Sequence, residues 1–308
     1  MSPAARDTPN TLQQINRRHW LGGAAALSAA AVLPRSIAGA AEAESRTPII
    51  CAFIKFVQSL SYDALAEQIA AIGYDGIEST VRKGGHVDPQ RVEEHLPQLV
   101  EAAQKAGIQV TIMTTDVLGL DQPLSERVLR TGAGLGIKKY RMGFYRYDLK
   151  QDIIQQLDEI RTRLRELAAL NRELGMTAVY QNHSGANFVG APVWDVHYLL
   201  DGIDPTEIGS AFDIRHATVE GGLSWPVQYN LMKPHIGAVF VKDFVWKGKK
   251  VQNVPLGDGR IDPKFFAMHK ASGIQCPYSI HVEYLEQAGT KQNMQALAND
   301  LQQLKQWL

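Results

Sequence analysis

The feature that most constrains this chain is a recurring order: an amphipathic segment, a glycine, then a short apolar run. Gly73, Gly107, Gly136, Gly175 and Gly273 each fall just before such a run. Glycine closes helices because it adopts the left-handed conformation at no steric cost, and helix–glycine–strand is the turn pattern of alternating α/β folds. The apolar runs read as strands are Ile49–Ile54, Gly76–Glu78, Gln109–Thr114, Lys139–Gly143, Thr177–Gln181, Ile208–Asp213, Gly237–Val241 and Tyr278–Glu283. Between them, Tyr62–Ile72 opens after Ser61, a good N-cap. Arg91–Ala106 and Asp152–Leu174 carry apolar residues at helical spacing and stop at Gly107 and Gly175, and Gln292–Leu308 closes the chain. Such alternation predicts a parallel sheet.

Eight strand–helix units close most simply into a barrel, so the predicted fold is α/β, a single (β/α)8 TIM barrel over residues 46–308. That length suits a fold of typically about 250 residues. A doubly wound nucleotide-binding sheet would carry G-x-G-x-x-G after its first strand, and this sequence has none there.

The barrel leaves residues 1–45 unaccounted for. Asn16-Arg17-Arg18-His19-Trp20-Leu21 precedes an alanine-rich, weakly apolar run from Gly22 to Leu33, then Ala38-Gly39-Ala40. Basic pair, apolar stretch and small-residue exit, in that order, resemble a twin-arginine export signal. The run falls short of the roughly 20 strongly apolar residues of a membrane span. The plainer alternative is an unstructured N-terminus that happens to contain Arg-Arg. The expectation is a signal peptide at 1–45 and a periplasmic or exported barrel, free of the membrane once the signal is removed. With zero net charge and no basic cluster beyond the leader, nucleic acid is a poor partner. Two cysteines, Cys51 and Cys276, build neither a zinc knuckle nor a disulfide framework. Pairing after export is one option if strands one and eight are neighbours; buried free thiols are the simpler one.

Barrel active sites are built where the strands end, and polar residues crowd those positions here. They are Lys55 after strand one, Glu78 and then His86 after strand two, Arg141 on strand four and Gln181-Asn182-His183 on strand five. Asp213 and His216 follow strand six, Lys242-Asp243 strand seven, and His281-Val282-Glu283 strand eight. Because strand side chains alternate, Gln181, His183, Asp213, Lys242 and Glu283 form one inward set at a single rim. Each alone has a plainer reading. Asp213 suits a helix cap, His183 and His216 suit loop histidines, and Lys242–Asp243 an ordinary surface pair. Together they predict a shared small ligand.

In this order the residues resemble the xylose-isomerase-like barrels, the superfamily of sugar (phosphate) isomerases and epimerases that also contains endonuclease IV. The markers are Gly73-Tyr74-Asp75-Gly76-Ile77-Glu78, Gln181-Asn182-His183, Asp213-x-x-His216, Val241-Lys242-Asp243, Pro255-Leu256-Gly257-Asp258-Gly259 and Glu283. The resemblance implies a divalent cofactor (Mn, Zn, Mg or Co) held by Glu, Asp, His and Glu from strands five to eight. Asp213 and Glu283 are retained, Gln181 stands at the first Glu, and Phe240 at the usual His. The metal candidates are therefore Asp213, Glu283 and Gln181, in a weakened site. The implied activity is proton abstraction beside a carbonyl, giving isomerisation or epimerisation. Glu283 or His183 is the base and Lys242 polarises the carbonyl. His216, Arg141, His86, Lys55 and Glu78 are the expected contacts to a small carbohydrate substrate. Two alternatives stay open: a lyase that cleaves 3-keto-glycosides by β-elimination, and a carbohydrate-binding barrel without catalysis. Endonuclease activity fits poorly, since the multi-histidine zinc set is missing.

Overall fold

Each of the eight apolar runs forms a barrel strand in the structure, a computed structural model that describes residues 47–285 and 287–308. The Arg17-Arg18 segment and the rest of the expected leader lie outside the described residues. The elements, in order, are β1 (Ile50–Phe53), α1 (Tyr62–Ile72), β2 (Gly76–Val81), α2 (Val92–Lys105), β3 (Gln109–Thr115), α3 (Ser125–Gly134), β4 (Lys139–Arg141), α4 (Ile153–Leu174), β5 (Thr177–Gln181) and α5 (Trp194–Leu200). Then come β6 (Ile208–Asp213), α6 (Ile214–Gly221), α7 (Trp225–Met232), β7 (Ile236–Val241), β8 (Asp243–Lys247), β9 (Lys250–Val254), α8 (Lys264–Ala271), β10 (Tyr278–Ile280) and α9 (Thr290–Trp307). Strands β1 to β7 and β10 make a closed parallel barrel, sealed where Cys51 of β1 pairs with Ser279 of β10. The fold is the single (β/α)8 barrel expected from the alternation.

The helix boundaries follow from their caps. Ser61 accepts from the Ala64 amide at 3.3 Å and Asp152 from that of Gln155 at 2.8 Å. Gly73 (φ 99°) and Gly175 (φ 59°) end α1 and α4 in the left-handed region, where a side chain is strained. The helices pack around the outside of the barrel over one large apolar core. Inside it, Cys51, Ile112, Val179, Ala211, Ala238 and Phe240 form a second, smaller cluster. Val179, Ala211 and Phe240 each lie two residues before Gln181, Asp213 and Lys242, so this cluster is the floor beneath the rim. Cys51 belongs to that floor, whereas Cys276 packs outside the sheet with its Sγ 3.5 Å from His269 Nε2. They face opposite sides of the barrel wall, and both are free thiols.

The eight-unit pattern did not anticipate β8 and β9, an antiparallel hairpin between β7 and α8. It begins at Asp243, which is no surface residue. The buried Asp243 carboxylate accepts the backbone amides of Phe244, Gly257, Gly259, Arg260 and Ile261 at 2.8–3.1 Å. Gly259 is required there, since a Cβ would meet Asp243 Oδ1 at 2.0 Å. Lys242 and Asp243 therefore do not pair with each other; one points to the barrel mouth and its neighbour anchors a loop. Among the described residues no helix is long and apolar enough to cross a membrane.

Candidate active site

The ends of β5, β6 and β7 and the segment after β10 deliver Gln181, Asp213, Lys242 and Glu283 to one point. Asp213 closes β6 and starts α6, and its two oxygens divide the work. Oδ1 caps α6 by accepting the His216 amide at 3.0 Å. Oδ2 accepts Gln181 Nε2 at 2.7 Å and pairs with Lys242 Nζ at 3.3 Å. The backbone of Asp213 is clamped by the Asn182 amide, which accepts from its N–H at 2.7 Å and donates to its carbonyl at 3.1 Å. Lys242 Nζ also lies 3.1 Å from Glu283 Oε2. The ammonium thus bridges two carboxylates, with its side chain 3 % exposed against 0 % for Asp213 and 21 % for Glu283. Burial pushes the Glu283 carboxyl up, but Lys242 and His281 more than offset it and hold the group well below the usual carboxylate range.

A second layer braces this one. The carboxylate of Glu78, fully buried, accepts from the hydroxyls of Thr114 and Ser279 and faces His281 Nε2 at 2.9 Å. Arg141 Nε lies 4.0 Å away and its guanidinium stacks over Phe144 at 4.6 Å. Glu78 was expected to touch substrate; it is saturated by protein partners below the mouth and has no free face. Arg141, 3 % exposed, is also held beneath the rim, where burial draws it down to about 10 without discharging it at neutral pH. Its Nη1 donates to Gln181 Oε1 at 3.4 Å. That contact sets the amide's orientation, oxygen toward Arg141 and NH2 toward Asp213. His281, which strand alternation sets on the same side as Glu283 and beneath it, stacks on Phe53 with centroids 4.4 Å apart. Its Nδ1 has no hydrogen-bond partner and faces Glu283 Oε1 at 3.7 Å.

The profile of the xylose isomerase-like TIM barrel family matches residues 66–306. The chain belongs to that family. Solved structures agree on the fold. A xylose isomerase domain protein from Alicyclobacillus acidocaldarius is 16% identical with TM-score 0.64, covering 85% of this chain and 98% of that one. The 3-keto-D-glucoside 4-epimerase of E. coli is 14% identical with TM-score 0.64, covering 82% and 98%. A D-allulose 3-epimerase from Methylomonas sp. is 14% identical with TM-score 0.63, covering 85% and 98%. No curated protein sequence matches the chain.

The donor set of this xylose isomerase-like barrel does not fit the divalent ion expected at Asp213, Glu283 and Gln181. The space between the two carboxylates holds the Lys242 ammonium, Gln181 turns its NH2 rather than its oxygen toward Asp213, and Phe240 lies in the apolar floor. Among the described residues no group of three or more His, Cys, Asp or Glu has the arrangement of a metal site.

The two rim histidines lie face to face, ring centroids 4.0 Å apart. His216 Nδ1 accepts from Arg215 Nη1 at 2.8 Å, which leaves the proton on Nε2, 3.6 Å from Asp213 Oδ2. Burial, then Lys242, holds His216 well below its usual value and takes His183 down to about 4. Both are neutral at pH 7. Arg215, absent from the sequence expectations, also donates to Asn253 Oδ1 at 2.9 and 3.1 Å and so straps β9 to the mouth. Lys55 and His86 follow β1 and β2, the next strands round the mouth from Glu283. Lys55 Nζ lies over the Phe56 ring at 4.6 Å. His86 Nδ1 bonds Thr80 Oγ1 at 2.9 Å, while its Nε2 has no partner.

Proposed function

We propose that this protein is an enzyme that removes a proton from the carbon next to a sugar carbonyl, as an isomerase or epimerase of small carbohydrates. One observation carries the reading: Glu283, the only carboxylate of the Glu78–Asp213–Glu283 group with a partly exposed side chain, lies 3.1 Å from a buried ammonium. A carbonyl-adjacent C–H is weakly acidic, so its removal needs a base and a fixed positive charge where the enolate oxygen develops. Glu283 takes the proton and Lys242 holds the oxyanion. The two roles are coupled, because a substrate oxygen that takes negative charge beside Lys242 competes for the ammonium's field, which loosens its hold on Glu283 and makes the carboxylate a stronger base. Asp213 and Gln181 keep Lys242 in place, and His216 presents an Nε2–H at the same wall. The similarity in fold to a 3-keto-D-glucoside 4-epimerase and a D-allulose 3-epimerase supports a carbohydrate substrate.

A second outcome of the same enolate is β-elimination from a 3-keto-glycoside. It is favoured by Gln181, which stands where the resemblance placed a second carboxylate and leaves Glu283 as the one exposed base of the group. Incubating the protein with ketohexoses and 3-keto-glycosides in D2O tests both readings. Deuterium incorporation with isomer formation supports the first, release of the aglycone the second, and neither in either substrate class refutes the proposal. We further propose that Arg17-Arg18 direct export, which suits extracellular glycosides better than cytoplasmic sugar phosphates.

A further inference from the structure

We infer that the Lys242 ammonium occupies the place of a divalent cation, so that the reaction needs no metal and takes a substrate through one carbonyl oxygen rather than a chelating oxygen pair. The inference rests on the carbonyl-chemistry reading above for its substrate half and on geometry alone for its metal half. Lys242 Nζ lies 3.3 Å from Asp213 Oδ2 and 3.1 Å from Glu283 Oε2, in the gap where an ion shared by those carboxylates would have to sit. An added dication would meet a fixed positive charge at contact range, inside a site too buried for water to screen it. Two neighbours, Gln181 and Phe240, agree with the lysine and disagree with a metal. Gln181 Nε2 donates to Asp213 at 2.7 Å where a ligand would have to present an oxygen. Its oxygen is turned away to Arg141 Nη1 at 3.4 Å. Phe240 contributes a ring to the apolar floor, tilted against His281 at 4.5 Å, and offers no lone pair.

The number of donors then limits the substrate. An ammonium has three N–H bonds, and two are directed at Asp213 and Glu283, which leaves one. A dication can bind two adjacent oxygens at once and follow the charge as it passes from one oxygen to its neighbour. One N–H serves one oxygen. In the step it supports, Glu283 accepts the proton from the carbon next to the carbonyl and the C–H electron pair forms the C=C bond. The carbonyl π pair moves onto the single oxygen that Lys242 holds. No oxidant, reductant or metal enters the balance. The fitting substrate class is therefore a keto-sugar whose reacting carbonyl is bound alone, without dependence on the adjacent hydroxyl.

Calorimetric titration of the full chain with Mn2+ tests the metal half without reference to activity. Wild type is expected to give no saturable heat, and Lys242→Ala, with the buried Asp213 and the partly exposed Glu283 carboxylates released, to bind Mn2+ more tightly by about 10- to 100-fold or more, the scale on which single site changes move metal affinity. One-to-one binding by wild type at micromolar Mn2+ overturns the inference. So does a Lys242→Ala protein with a native circular dichroism spectrum and no gain in Mn2+ affinity. Should that variant fail to fold, Gln181→Glu/Phe240→His/Lys242→Ala, which supplies a full set of ligands, takes its place under the same criterion. The substrate half is read by deuterium exchange into a keto-sugar and its analogue deoxygenated next to the carbonyl, both with a chelator present. Exchange in both at rates within about tenfold supports the inference, and loss confined to the deoxy analogue overturns it. No exchange in either, with the calorimetry as expected, refutes the carbonyl reading and leaves the metal-free site standing.

Discussion

His281 and Glu78 form a fully buried pair, Nε2 to Oε2 at 2.9 Å, directly behind the carboxylate we propose as base. Burial alone would lower the histidine, but Glu78 reverses this and keeps His281 above its ordinary value. Because His281 in turn helps hold Glu283 down, the charge on Glu78 reaches the mouth through one ring. Glu78→Gln removes the main support of the imidazolium, so Glu283 should titrate higher. The expected result is an acid limb of kcat/KM displaced to higher pH, with the alkaline side unmoved. An unshifted limb in a folded variant would disconnect Glu78 from the base.

Glu283 and Lys242 should respond differently to removal. Glu283→Gln takes away a partly exposed carboxylate and leaves Lys242 paired with Asp213. Turnover should fall by at least about 10²- to 10⁴-fold, as for loss of a general base, with little change in Tm. Lys242→Met leaves Asp213 buried and unpaired, which costs about 3–5 kcal/mol for a broken buried pair. Parallel thermal melts and rate measurements separate the two patterns.

Gln181→Glu replaces the donor that faces Asp213 Oδ2 at 2.7 Å with a second acceptor. Two like charges then face each other in a buried site, and the lost hydrogen bond to a charged group costs about 1.5–3 kcal/mol. In a chain this size that lowers Tm by roughly 3–12 °C. Mn2+ affinity should not change while Lys242 remains. A gain in Mn2+ affinity with unchanged Tm would place Gln181 beside an ion rather than beside a lysine.

Acid should destabilise the fold earlier than its carboxylates require. His86, His183 and His269 are each pushed down to about 4 by burial, from 6.5. Below 6.5 the unfolded chain binds protons that the folded one refuses, so stability is full above that pH and is lost as pH falls toward 4. Each histidine contributes a slope of up to about 1.4 kcal/mol per pH unit. Urea midpoints between pH 7 and 4.5 should drop accordingly, and His269→Gln should flatten the curve by one proton.

Export is tested by changing Arg17-Arg18 to Lys-Lys. Unprocessed precursor should accumulate in the cytoplasm; normal periplasmic delivery would refute the signal.

Strand alternation made much of this site readable in advance. The period of two assigns Gln181, His183, Asp213, Lys242 and Glu283 to one face; the structure brings four of them together at Lys242 and stacks the fifth, His183, on His216. Glu78 was misplaced because its strand was expected to stop there. In fact β2 runs on to Val81, with a register shift beside β3 between Ile77 and Glu78, which sets that carboxylate a layer deeper. The β8–β9 hairpin was missed because its residues follow no eight-unit rule, and with it the strap from Asn253 to Arg215. What Lys242 faces is not a matter of period at all. The residue types Gln181 and Phe240 already point to a weakened ion site, but that Lys242 stands between Asp213 and Glu283 is read only from the three-dimensional contacts.

Asp213 spends one oxygen on starting α6 and the other on holding Lys242, and this has a cost in evolvability. Asparagine keeps a helix cap but not the charge partner, and glutamate keeps the charge but moves it by a methylene. Any drift at this position is selected against twice, once in folding and once in the reaction. In a randomised library Asp213 should therefore return unchanged, while new substrate preferences emerge at Lys55, His86 and the Asn253 strap, where one residue answers to one demand.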